Sequence, residues 1–136
     1  MISFNYETEV NLEQSEKLTN WIIDAILEEN FKVGEINYIF CTDDYLHQIN
    51  MEFLDHDTLT DIISFDYSIG KELHGDIYIS VDRVKENATD FKVPFNVELS
   101  RVMIHGILHY CGYKDKSEEE VKEIRSKEDY YLSKFV

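Results

Sequence analysis

The chain has 136 residues, 43% of them hydrophobic and 13% aromatic. That length fits one domain of the usual roughly 100–200 residues, with enough apolar content for a single core that needs no staples. Its 28 Asp and Glu against 13 Lys and Arg give a net charge of −15. Such a balance opposes non-specific attraction to phosphate backbones or anionic lipid and, on composition alone, argues against a nucleic-acid partner. Cys41 and Cys111 make no disulfide framework, so a reducing cytoplasm is expected. Met1 to Glu7 lacks the basic start and apolar stretch of a signal peptide, and no apolar run approaches the roughly 18 residues of a membrane span.

Along the chain, Ile2 to Tyr6 alternate as a short strand, and Asn11 with Gln14 form the expected capping pair of a helix that ends near Asn30. In that helix Leu18, Trp21, Ile22, Ala25 and Ile26 recur at helical spacing and define its buried stripe. Gly34 to Cys41 is rich in strand formers. Thr42 and Asp43 cap a second helix carrying Leu46, Ile49 and Phe53 on one side. Asp61 to Tyr67, a turn at Ser68-Ile69-Gly70-Lys71 and Gly75 to Val81 form a hairpin. A short helix follows over Asp82 to Asp90, and a longer one runs from Pro94 to about Cys111, where Gly112 stops it. Ser117 with Glu120 is a capping box for a last helix reaching toward Leu132. One Pro and five Gly leave no long linker, and no internal repeat is present. Interleaved elements with adjacent strands in the middle make this an α+β single domain, residues 1–136. Four strands form a mixed sheet covered by about five helices.

Between Val102 and Cys111 the only strongly polar side chains are His105 and His109. This helix is apolar nearly all round, so it should be central, with both histidines buried in it. Spaced i, i+4, the two imidazoles project from one face about a turn apart, the geometry by which a helix grips one metal ion. Gly112 lets the chain turn back and bring Asp115 toward the same ion, giving His-x3-His-x5-Asp. Two imidazoles and a carboxylate are the three protein ligands of a catalytic zinc site with one open position. A glycine inside a helix costs about 1 kcal/mol relative to Ala, so Gly106 marks a close approach by a ligand loop or substrate. His47, His56 and His74 are isolated and read as locally bonded histidines.

The same spacing occurs in zinc proteases that read His-Glu-x-x-His-x-x-Gly-x-x-His. Here Gly106 takes the place of their general base, which leaves a metalloprotease-like hydrolase as a rival reading only. The stretch His105-Gly106-Ile107-Leu108-His109-Tyr110-Cys111-Gly112-Tyr113, with Thr60-Asp61-Ile62-Ile63-Ser64-Phe65 and Gly75-Asp76-Ile77 upstream, more closely resembles the YbeY family of metal-dependent endoribonucleases. That resemblance implies one divalent ion per chain, Zn2+ with Mn2+ or Fe2+ as alternatives. It also implies cleavage of single-stranded RNA in rRNA maturation and ribosome quality control, with ribosomal small-subunit components as partners.

Two positions depart from the family pattern. Asp115 stands where the family usually has His. A carboxylate there lowers the net charge of the metal complex, makes its water less acidic and hardens the ligand set toward Mn2+ or Fe2+. Leu54 stands where the family usually has an Arg, and Lys114, Lys116 or Arg83 would then supply positive charge, Lys114 as the phosphate contact. The window 98–116, with Arg101, Lys114 and Lys116 against Glu98 and Asp115, is the least acidic part of the chain. The remaining reading is a non-catalytic ribosome-assembly binding protein with a structural metal. It requires four protein ligands, and Cys111 faces away from the histidines.

Overall fold

A computed structural model describes residues 1–54 and 60–135. The sheet is built of β1 (Ile2–Tyr6), β2 (Lys32–Cys41), β3 (Ile62–Asp66) and β4 (Glu72–Ser80), in the order β1-β2-β4-β3. β2 runs parallel to both β1 and β4, while β3 and β4 are antiparallel, so the sheet is mixed. The helices are α1 (Ser15–Glu28), α2 (Asp43–Leu54), α3 (Val81–Phe91), α4 (Phe95–Tyr110) and α5 (Glu118–Phe135). The α+β class, the four strands and the five helices all agree with the sequence. No helix among the described residues is long and apolar enough to cross a membrane.

The strand pattern of period two sorts the side chains onto two faces. Ile36, Tyr38 and Phe40 of β2 and Leu73, Ile77 and Ile79 of β4 join α1, α4 and α5 in the main core. Cys41 and Ile63, with Phe65 and Tyr78 against them, turn the other way toward Leu46 and Ile49 of α2. α4 runs through the middle of the main core, and the Tyr38 hydroxyl donates to the Met103 carbonyl at 2.9 Å. The Trp21 indole N–H donates to the Tyr131 carbonyl at 2.7 Å and ties α1 to α5.

Local signals set most boundaries. Thr42 Oγ1 accepts from the Tyr45 N–H at 3.2 Å. Ser117 and Glu120 close their box reciprocally at 2.9 and 3.1 Å. The exception is the start of α1. Gln14 sits just before the helix in the left-handed region at φ 54° and makes no side-chain cap bond. Val10 and Leu12 pack against the core instead, which holds that segment out of the helix, and α1 begins at Ser15.

Two glycines let α4 meet the sheet. A Cβ on Gly106 would press on Ile62 and Ile77, so the sheet, not a ligand loop or substrate, makes the close approach. At Gly75 a Cβ would overlap the Phe65 carbonyl and the Tyr110 hydroxyl, and that hydroxyl donates to the Phe65 carbonyl at 2.8 Å. Tyr110 adjoins His109, so this seat fixes how the end of α4 is rotated. Gly75→Ala is therefore expected to cost about 1–3 kcal/mol through overpacking, measurable as a lowered urea midpoint at unchanged slope.

Candidate metal centre

The end of α4 follows from one glycine. Gly112 has φ +101° with open space around it, and it sits where a helix takes a left-handed residue. The Gly112 N–H donates to the His109 carbonyl at 3.0 Å and the Tyr113 N–H to the Leu108 carbonyl at 3.1 Å, the paired bonds of a Schellman turn. The turn aims the Tyr113 carbonyl back at the helix, where it accepts from His109 Nδ1 at 2.9 Å. Tyr113 is itself anchored, its hydroxyl donating to Glu29 at 2.8 Å.

His105 is oriented from α5. Its Nδ1 lies 2.6 Å from Glu128 Oε2, while the other Glu128 oxygen accepts from Arg101 at 3.0 Å. A carbonyl and a carboxylate only accept, so each Nδ1 carries the proton and each Nε2 presents a bare lone pair. The two Nε2 atoms face each other at 2.9 Å. Asp115 Oδ2 lies 3.4 Å from that of His105 and 3.3 Å from that of His109.

Three acceptors therefore converge with no proton among them, an arrangement a cation relieves. Zinc–nitrogen distances of about 2.0–2.1 Å correspond to tetrahedral edges of about 3.3–3.4 Å. The triangle observed here approaches one face of such a tetrahedron, so the residues fit a divalent ion with one corner left for solvent or substrate. The field agrees: burial pulls the His105 pKa down, but Glu128, followed by Asp115 and Asp61, lifts it above its ordinary value.

The structure thus brings His105, His109 and Asp115 together as one group that could hold a metal ion. It corrects their burial, because the imidazoles are 21% and 29% exposed and Asp115 45%, opening onto a cleft. His74 accepts from the Glu35 N–H at 3.0 Å and bonds Glu72, and His47 is likewise not free. His56 lies outside the described residues. Cys111 is not part of that group, and burial pushes its thiol up to about 12. Of the cations, Arg83 is held by Asp43 at 3.1 Å and Glu86 at 2.8 Å. Lys114 and Lys116 are exposed. Leu54 closes α2, 41% exposed.

Glu128 was not evident from the motif. Its signal is a carboxylate on the apolar stripe of α5, in line with Val121 and Ile124, and it is only 3% exposed. Beside the group lies a cavity of about 330 Å3 lined by Asp61, Asn87, Glu98, His105, Asp115 and Arg125 among others. Burial pushes the Asp61 carboxyl up, with His105 opposing. Burial also raises Glu98, opposed by Arg101.

Fold and site together define a class, an α+β domain whose central helix and the turn after it present a His-His-Asp group to a cleft. A family model for endoribonuclease YbeY matches residues 1–136. Curated relatives with that same name are 62% identical in Flavobacterium psychrophilum, over 99% of this chain and 96% of the relative. In Flavobacterium johnsoniae the identity is 58%, over 99% and 97%. The solution structure of a Thermotoga maritima protein is similar at a TM-score of 0.69 and 28% identity, covering 99% of this chain and 89% of that one. The chain belongs to the endoribonuclease YbeY family, a family of RNA-cleaving hydrolases. That membership overturns the exclusion of nucleic acid drawn from net charge, because a mean over the whole surface says nothing of the potential at one cleft.

Proposed function

We propose that His105, His109 and Asp115 hold one divalent ion, zinc by the donor set, and that the chain uses it to cleave single-stranded RNA in rRNA maturation. The single observation that carries this reading is the convergence of two Nε2 atoms 2.9 Å apart on one Asp115 oxygen, with both Nδ1 protons committed elsewhere. A divalent ion bound there supplies Lewis acidity to phosphoryl oxygens and acidity to water. Glu128 and the Tyr113 carbonyl hold the imidazoles in the tautomer that ligates. Asp115 replaces a neutral donor by an anionic, harder one, which eases Mn2+ or Fe2+ relative to three imidazoles. Lys114, exposed next to Asp115, contacts phosphate. The substrate is rRNA in the context of small-subunit components in the cytoplasm, in keeping with the family.

Metal analysis and RNA cleavage with and without a chelator test the reading. The purified protein is expected to carry about one divalent ion per chain and to cleave a single-stranded oligoribonucleotide only with it. Asp115→His should keep the metal. Asp115→Ala should weaken metal binding by more than about 100-fold, the upper range for loss of an outer hydrogen-bond partner. Wild-type affinity in Asp115→Ala would remove Asp115 from the ligand set.

A further inference from the structure

Glu98 is the unexplained group of the cavity beside the metal centre. It stands two turns before His105 on α4 and is 4% exposed. Among the described residues its carboxylate makes neither hydrogen bond nor ion pair, only longer-range interactions with Arg101, Asp61, Arg125 and Glu128. What surface it keeps opens into the cavity. The neighbouring carboxylates have other roles: Glu128 holds Arg101 and His105, Asp115 faces the two histidine Nε2 atoms, and Asp61 accepts from the Asn87 amide at 3.3 Å. No side-chain oxygen among the described residues is wholly shut off from solvent without a partner, so the Glu98 oxygens reach the cavity and stand open to a donor-bearing ligand there.

The chemistry of the occupant follows from the lining. The cavity shares His105 and Asp115 with the metal centre, so its occupant is part of the RNA that lies there. Phosphate is repelled by Glu98, Asp61 and Asp115. The remaining hydrogen-bond donors of RNA rich enough to satisfy two carboxyl groups are on base edges. Guanine presents its N1–H and N2 amino group side by side, whereas uracil offers one N–H, and adenine and cytosine offer an amino group flanked by an acceptor. A stacking surface is present at the rim: Phe91 is 54% exposed, with the Arg125 guanidinium 5.8 Å from its ring centroid. Aromatic and guanidinium planes of this kind hold unpaired bases. The volume of about 330 Å3 lies at the small end of ligand cavities, suited to one base.

We propose that this cavity receives one guanine base of the RNA substrate, its N1–H and N2 amino group donating to Glu98 and Asp61 and its face resting on Phe91 and Arg125. The proposal rests on the metal-dependent cleavage proposed above, and it makes Glu98 the residue that biases cleavage toward phosphodiesters flanked by guanine.

Metal-loaded protein is tested on single-stranded oligoribonucleotides that differ at one position, carrying guanine, hypoxanthine, adenine, cytosine or uracil. Cleavage ends and equilibrium binding by fluorescence anisotropy are both read. Guanine should exceed hypoxanthine, which lacks the amino group, and the other bases by about tenfold in both readouts. Glu98→Gln should lose that preference, keep its metal, and melt a few degrees higher because a desolvated carboxylate beside Asp61 and Glu128 loses its charge. Asp61→Asn should also flatten the preference.

Equal binding and cleavage at every base, by protein that a chelator still stops, overturns the pocket and leaves the metal centre standing. A guanine preference that survives Glu98→Gln, or a Glu98→Gln protein that melts lower than wild type, overturns it too. Tight binding of free guanosine monophosphate without base preference in the oligonucleotides would assign the cavity to a free nucleotide and overturn the RNA subsite. Cleavage insensitive to chelator is a failure of the metal centre, and the binding measurement still reads the base preference without it.

Discussion

His109→Ala is expected to abolish stoichiometric metal binding and to lower RNA cleavage by at least about 10³-fold, an effect on the scale of the several kcal/mol a metal ion contributes to stabilising transition-state charge. In the proposed site the imidazole is one of three ligand groups, and removing it leaves His105 and Asp115, too few to hold an ion in water. The same loss appears in stability. An ion at 1,000 times its dissociation constant stabilises the folded state by about 4.1 kcal/mol. Titrating zinc should therefore raise the melting temperature of the wild type and leave that of His109→Ala unmoved. Without added metal the two should melt within a few degrees, because His109 is 29% exposed and the Tyr113 carbonyl it leaves behind can turn to water. Cleavage by His109→Ala within tenfold of wild type would remove the metal from the reaction.

Much of this architecture was legible because the deciding signals are local. Gly112 lies where a helix must take a left-handed residue, so the end of α4 and the return of Asp115 follow from the motif itself. The capping box of Ser117 and Glu120, the hairpin of β3 and β4 and the apolar stripe of α1 are likewise written in neighbouring residues. What was not legible depends on contacts between distant segments. The start of α1 is decided by Val10 and Leu12 reaching the core, which overrides the capping signal of Asn11 and Gln14. A glycine at position 106 signals a close approach, which the sequence assigns to a ligand loop or substrate, whereas the surroundings that require it are Ile62 and Ile77 on two strands.

The site shows the same division. Spacing on one helix brings His105 and His109 into register, but spacing is silent on which ring nitrogen carries the proton. That choice is made by Glu128 on α5 and by a backbone carbonyl at Tyr113. A backbone acceptor has no residue type to recognise. Glu128 has one, but α5 carries many acids, and only its place among Val121 and Ile124 separates it from the exposed ones. Net charge misled for a related reason: it is an average over the whole surface and says nothing of the groups that meet at one cleft.

Glu128→Ala should be the most destabilising change near the centre and should weaken metal binding as well. Glu128 is 3% exposed and bridges His105 Nδ1 and Arg101. Removing one partner of a buried ion pair costs about 3–5 kcal/mol. Here the lower end is expected, because Arg101 keeps its bond to Asp129 at 2.7 Å. Metal affinity should fall by about 10–100-fold, the usual effect of losing the carboxylate behind a ligating histidine, since the His105 ring is then free to rotate and to place its proton on Nε2. Glu128→Gln separates the two effects. It keeps the size and one acceptor oxygen, so stability should drop less than in Glu128→Ala. The neutral amide should still cost about tenfold in metal affinity, as it no longer makes the imidazole a stronger donor. Chelator competition reads the affinity and denaturant unfolding of the metal-free proteins reads the stability. Equal metal affinity in the wild type and both variants would mean that His105 is oriented without Glu128, and the Nδ1 contact at 2.6 Å would then serve the fold alone.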